Sequence, residues 1–125
     1  MLEVDIGEWQ GQPLKSLRRL KLWRSVQSNP SLFRFPLGEG FADAQRRICR
    51  EIEELYTQAQ AKDIILAVSH ADPIRLAVAY YLGMPLDCFQ RLAIAPASVT
   101  TLFLSDTGSQ LLNLNVDLAL IQPKR

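Results

Sequence analysis

The sequence predicts an α/β domain, and three observations predict it. Residues Ile64-Ile65-Leu66-Ala67-Val68 form an apolar run too short for a bilayer, followed at once by Ser69-His70 and a helix start, as a buried strand feeding a helix would be. From Phe41 to about Lys62, Ala44, Ile48, Ile52, Leu55 and Ala59 recur at steps of 4, 4, 3 and 4, one face of an amphipathic helix. Ser98 to Ser105 is rich in Val, Thr, Leu and Phe, and Asp106-Thr107-Gly108-Ser109 supplies a turn before the alternation Leu112, Asn113, Leu114, Asn115, Val116. That segment reads as a hairpin whose second strand has one wet face.

The elements follow in order. The first dozen residues, with Gly7 and Gly11 flanking Glu8-Trp9-Gln10, read as irregular chain. Pro13 suits a first helical position, and Leu14, Leu17, Leu20 and Trp23 make one row of a helix whose other faces carry Lys15, Arg18, Arg19, Lys21 and Arg24. Asn29-Pro30 closes it, and Ser31 through Gly40 reads as a loop without periodic signal. Asp43 in the first turn of the next helix suits its dipole. After the strand through Val68, Asp72 reads as N-cap and Pro73 as first residue of a helix to Leu82, with Gly83 as left-handed cap and Pro85 beyond. Residues Gln122 to Arg125 are a short polar end.

The totals narrow the function. At 125 residues the chain is read as one domain, long enough to bury about two thirds of its unfolded surface. With 14 basic against 13 acidic residues and a formal charge of +1, no general attraction to nucleic acid or anionic membrane is expected. Cys49 and Cys88 form no C-x-x-C pair, a single histidine and scattered carboxylates make no metal cluster, and no glycine-rich phosphate loop follows the strand. No metal and no cofactor are therefore expected. The amino terminus lacks the order of a signal peptide, which reads as a cytoplasmic protein.

The candidate chemistry gathers at the strand-to-helix tip. His70, the only histidine, stands at a strand's carboxyl end beside a helix start, where outward N–H groups and the helix dipole favour an anion. The bland alternative is a tip histidine that only hydrogen-bonds its loop. Ser69 and His70 point to opposite faces of a strand, which argues against a Ser–His nucleophile pair. Glu3, Asp5 and Glu8 form an acidic cluster from which one carboxyl group could protonate a leaving group; the alternative is solvated acids, and for Trp9 simple packing.

These residues fall in three ordered blocks. Leu2-Glu3-Val4-Asp5-Ile6-Gly7-Glu8-Trp9-Gln10-Gly11 resembles the L-x-E-x-x-x-G-x-W-x-G segment of the histidine phosphatase superfamily, the phosphoglycerate-mutase-like enzymes. Pro36-Leu37-Gly38-Glu39-Gly40 with Asp43 and Arg46 is similar to that family's P-x-G-E-S-x-x-D-x-x-x-R block, and Ala67-Val68-Ser69-His70 with Ile74-Arg75 to its V-S-H-G-G-x-I-R block. Pro96-Ala97-Ser98-Val99-Thr100 is similar to the segment entering the late strands. The resemblance implies a three-layer α/β/α phosphoglycerate-mutase-like domain acting on a small phosphorylated molecule. It implies a transiently phosphorylated histidine, an acid that protonates the departing alcohol, and a second histidine that steadies the phosphoryl oxygens.

By matching position, Glu3 is the implied proton donor, His70 the second histidine, and Ala71, where the family has glycine, a substrate-binding backbone N–H. Gly40 replaces the serine of G-E-S and removes a side-chain helix cap. Arg46 and Arg75 match as well, either as substrate contacts or as ion pairs locking helix starts. The family's nucleophile lies in an R-H-G motif upstream of the acid, and nothing in these 125 residues matches it. The resemblance thus implies an N-terminally truncated domain, the carboxyl-terminal two thirds, with little activity of its own. Without the strand that bears R-H-G, the Ile64–Ser69 strand would keep a free edge, and a homo-oligomer covering it is expected. The alternative from another class is a non-catalytic phosphate-binding or assembly module.

Overall fold

The computed structural model describes residues 1–120, so the polar end Gln122–Arg125 lies outside the described residues. A 3-10 turn at Gly7–Trp9 precedes two short helices, α1 (Leu14–Leu17) and α2 (Leu22–Ser28). The long α3 (Phe41–Gln58) packs on α4 (Ala71–Tyr81), a 3-10 segment follows at Leu86–Arg91, and the chain ends in strands β1 (Ser98–Ser105) and β2 (Gly108–Asp117) with a last 3-10 turn at Leu118–Leu120.

The predicted helix after Pro13 is in fact two. Its apolar row steps by three, the period of a 3-10 turn rather than of an α-helix. The backbone obeys that period: Arg19 N–H donates to Ser16 O, Leu20 N–H to Leu17 O and Trp23 N–H to Leu20 O, each across three residues. Leu17 and Val26 are buried, whereas Leu14, Leu20 and Leu22 stay exposed. The α3 prediction holds from Phe41, but the helix ends at Gln58, short of Lys62. It buries Phe41, Ala44, Ile48 and Cys49, and burial drives the Cys49 thiol pKa up to about 11. Beyond Ile52 its apolar face opens, with Leu55 and Tyr56 exposed.

Helix α4 begins two residues earlier than Asp72-Pro73 suggested, with His70 itself as N-cap. Its end is as predicted. Gly83 takes φ +68°, its N–H donates to Tyr80 O at 3.1 Å, and Met84 N–H donates to Ala79 O at 2.8 Å, the two bonds of a Schellman cap. The β1–β2 hairpin is antiparallel, with Leu102 opposite Leu111 and Ser105 opposite Gly108. Two irregularities between Val99 and Leu102, near Asn115 at φ +56°, interrupt the expected alternation. Ser109 Oγ donates to Tyr81 O and ties the hairpin to α4.

The core is aromatic. Phe41 packs against Phe89, Phe35 and Phe33 at ring-centroid distances of 4.9, 5.4 and 6.3 Å. Trp9, buried, stands edge-on to Phe35 at 5.3 Å and stacks on Trp23, so it packs rather than lining a site. The segment read as featureless loop thus contributes two core rings.

The main departure is the Ile64–Ser69 segment. It has no ladder partner among the described residues, whose only sheet is the β1–β2 hairpin. Ile64, Leu66 and Val68 are 97, 85 and 81 % exposed. A strand needs a neighbour to hold its hydrogen bonds, and no backbone hydrogen bond joins this segment to another described one. The apolar run is exposed, and the buried strand expected at Ile64–Val68 does not form among the described residues.

Candidate active site

The chain leading into α4 and the amino-terminal segment meet. Ser69 Oγ donates to Met1 O at 3.3 Å, which holds the two together. Across the junction His70 Nδ1 lies 3.8 Å from Glu3 Oε2, both side chains about half exposed. Glu3 Oε1 accepts from Val4 N–H at 2.9 Å, and buried Val4 anchors the segment. The amino-terminal segment and the α4 start therefore share one open cleft of about 630 Å³, which Glu3, Asp5, Gln10, His70 and Asp72 line.

Ala71 and Asp72 follow His70 at the helix start, where backbone N–H groups have no carbonyl one turn back. Ile74 N–H is the first with a partner, His70 O at 3.2 Å. Residue 73 is proline and offers no donor. The structure thus sets the Glu3 carboxyl group opposite the His70 imidazole, with Ala71 next to His70 at the helix start.

The two arginines matched by position are otherwise engaged. Arg75 Nη1 bonds Asp72 at 2.9 Å and its Nε donates to Leu92 O at 2.7 Å, locking the α4 start. Arg46 and Arg34 both pair with Asp43, whose carboxyl they hold below its usual range. The arginine that reaches the site segment is Arg47, which the sequence reading passed over. Three residues separate aspartate from arginine in the quoted block, and counted from Asp43 that spacing lands on 47; this was the available signal.

Arg47 bonds Glu39 through Nε at 2.8 Å and Nη2 at 3.0 Å, and its guanidinium also donates to Leu2 O and Glu3 O. The Arg47 hydrogen bonds hold the Glu39 carboxyl below its ordinary range, and the same contacts raise Arg47. Glu39 Oε2 further accepts from Asp5 N–H, and Glu39 N–H donates to Asp5 O at 2.8 Å. The Gly38-Glu39 block therefore clasps the segment that bears Glu3. Gly40 starts α3 with no side-chain cap, as its replacement of serine implied.

Glu3, Asp5 and Asp72 outnumber His70 in the cleft, so its charge is acidic among the described residues. No group of three or more His, Cys, Asp or Glu among them is placed to hold a metal ion. A second groove of about 420 Å³ lies between Tyr56, Tyr81 and Asp106 and contains none of these residues.

Comparison with known proteins gives the family and the fold. The sequence model of the histidine phosphatase superfamily (branch 1) matches residues 1–117. No curated protein matches by sequence. Among solved structures, YhfR of Bacillus stearothermophilus superposes with a TM-score of 0.83 at 20% identity, over 96% of this chain and 60% of that one. A mutant phosphoserine phosphatase from Entamoeba histolytica, in complex with phosphoserine, gives 0.79 at 19%, over 97% and 61%. The alpha-ribazole phosphatase of Shigella flexneri gives 0.70 at 24%, over 90% and 56%. The chain shares their mixed α/β fold and spans less than two thirds of the length of each.

Proposed function

The chain belongs to the histidine phosphatase superfamily (branch 1), and on that premise we propose that it carries the acid and the supporting histidine of a phosphoryl-transfer site, without the nucleophile. The reaction is hydrolysis of a small phosphomonoester, or a phosphomutase transfer that differs only in the acceptor hydroxyl. An imidazole nitrogen attacks phosphorus, the phosphorus–oxygen ester bond breaks, and the departing oxygen takes the Glu3 proton. Water or a substrate hydroxyl then attacks the phosphohistidine, gives its proton to the Glu3 carboxylate and releases the imidazole. His70 and the Ala71 N–H hold the phosphoryl oxygens, where negative charge grows in the transition state.

The observation that carries this reading is the Glu3–His70 pairing across one cleft, between residues from opposite ends of the three sequence blocks. One imidazole cannot be bonded to phosphorus and also polarise it, and the sequence has one histidine. The 125-residue chain is therefore expected to turn over a generic aryl phosphate no faster than buffer does. Activity that disappears on His70→Ala would refute the supporting role.

A second reading, as an assembly module, is favoured by the bare run Ile64–Val68. Unpaired backbone beside exposed Ile64, Leu66 and Val68 is a template for strand pairing, and a homo-oligomer would cover it. Light scattering at micromolar concentration should show a mass above one chain, reduced to one chain by Leu66→Lys. A monomeric parent chain would count against it. Cys49 and Cys88 are unpaired, which suits a cytoplasmic location, and no described helix is long and apolar enough to cross a membrane.

A further inference from the structure

We propose that Glu39 and Arg47 are positioning residues that hold Glu3 in register with His70. Neither lines the cleft, so any influence on the site must pass through the chain they grip. Residues 2–5 belong to no helix and no ladder, and a segment so near a terminus frays unless something ties it down. The tie is the Glu39–Arg47 pair. Arg47 donates to the carbonyls of Leu2 and Glu3 at 3.3 and 3.2 Å, while Glu39 accepts from Asp5 N–H at 3.0 Å. The peptide units on both sides of Glu3 and Val4 are thereby fixed, by donors and an acceptor already locked to each other in a two-bond ion pair.

Glu3 has few means of holding itself. Its carboxylate is half exposed and, apart from His70, bonds only the adjacent Val4 N–H, so its direction follows the backbone. Lysine could not replace Arg47, because one compact ammonium on a flexible stem cannot span the carboxylate and two carbonyls at once. Side-chain exposure agrees: Arg47 and Glu39 are largely covered, whereas neighbouring Arg46 is open to solvent.

This inference rests on reading Glu3 as the acid, but its test reads geometry rather than turnover. The single histidine gives the chain one set of imidazole proton signals, a direct reporter of the Glu3 carboxylate beside it. In the 125-residue chain, Arg47→Lys is expected to move those signals in the same direction as Glu3→Gln and to most of its extent. The double variant should move them no further than Glu3→Gln alone, since residues acting through one another are not additive. Methyl signals of Ile48 and Leu76 should stay in place. Unmoved imidazole signals in Arg47→Lys, or shifts that add in the double variant, would overturn the proposal. Should Arg47→Lys not fold, Glu39→Gln, nearly isosteric, carries the same comparison with the same two outcomes. A chain that shows the coupling yet ignores phosphate keeps the clamp and loses the functional reading, so the two failures are distinct.

Discussion

Phe41→Ala is expected to remove about 3–5 kcal/mol of stability, a large share of the roughly 5–15 kcal/mol that holds a domain folded. Phe41 opens α3 and is almost fully buried, with Phe33, Phe35 and Phe89 around it. Its ring joins the 31–40 loop to the 3-10 segment Leu86–Arg91, two parts of the chain that ladder bonds do not connect. Alanine would lose the transfer energy of the ring and leave a cavity that three fixed aromatic neighbours cannot close. With the sheet reduced to one hairpin, no large β core compensates. Urea denaturation is the measurement, and a loss below about 1 kcal/mol would show that the aromatic cluster is not the core.

Gly7→Ala is expected to cost about 3 kcal/mol and to free the acid-bearing segment. Gly7 has φ +56°, a conformation that costs an alanine roughly 1 kcal/mol. A Cβ there would also fall closer than 3.0 Å to backbone atoms of Pro36, Leu37 and Gly38, so the 36–40 loop must retreat. That loop accepts Glu8 N–H at Pro36 O and presents Glu39 to Asp5. Gly11→Ala is the control. Gly11 shares the positive φ, at +73°, but a Cβ there meets nothing within 4 Å, so only the conformational cost of about 1 kcal/mol should appear. Denaturation midpoints with hydrogen exchange at the Asp5 and Glu39 amides separate the two variants. Equal losses at Gly7 and Gly11 would mean that the close approach does not matter.

Some of this was legible from residue pattern. The 3.6-residue rhythm of Ala44, Ile48 and Ile52 announces α3, Gly83 and Pro85 announce the end of α4, and Asp106-Thr107-Gly108 announces the hairpin turn. Other parts were not, for physical reasons. The leucines after Pro13 step by three, which fits both a helix row and successive 3-10 turns, and only tertiary packing selects the latter. Phe33 and Phe35 alternate within a Pro- and Gly-rich loop, where composition hides core residues. Ile64–Val68 carries the composition of a buried strand, but a ladder depends on a neighbour that no local pattern supplies.

The site shows the same division. Glu3, His70 and Ala71 were named by their place in the first and third of the short blocks, and the fold brings Glu3 and His70 to one cleft. The Glu39–Arg47 clasp left no periodic trace, because a hydrogen bond from a helix to a distant carbonyl has none; only the spacing from Asp43 within the block pointed to Arg47 rather than to its neighbour Arg46.

In the proposed site, His70 and the Ala71–Asp72 amides form an oxyanion pocket facing Glu3. Titration of the chain with inorganic phosphate or orthovanadate, followed through the backbone amide signals, tests it most directly. The predicted result is a saturable shift centred on Ala71 and Asp72 that vanishes in His70→Ala. A shift centred elsewhere, one that survives His70→Ala, or none at these amides would contradict it.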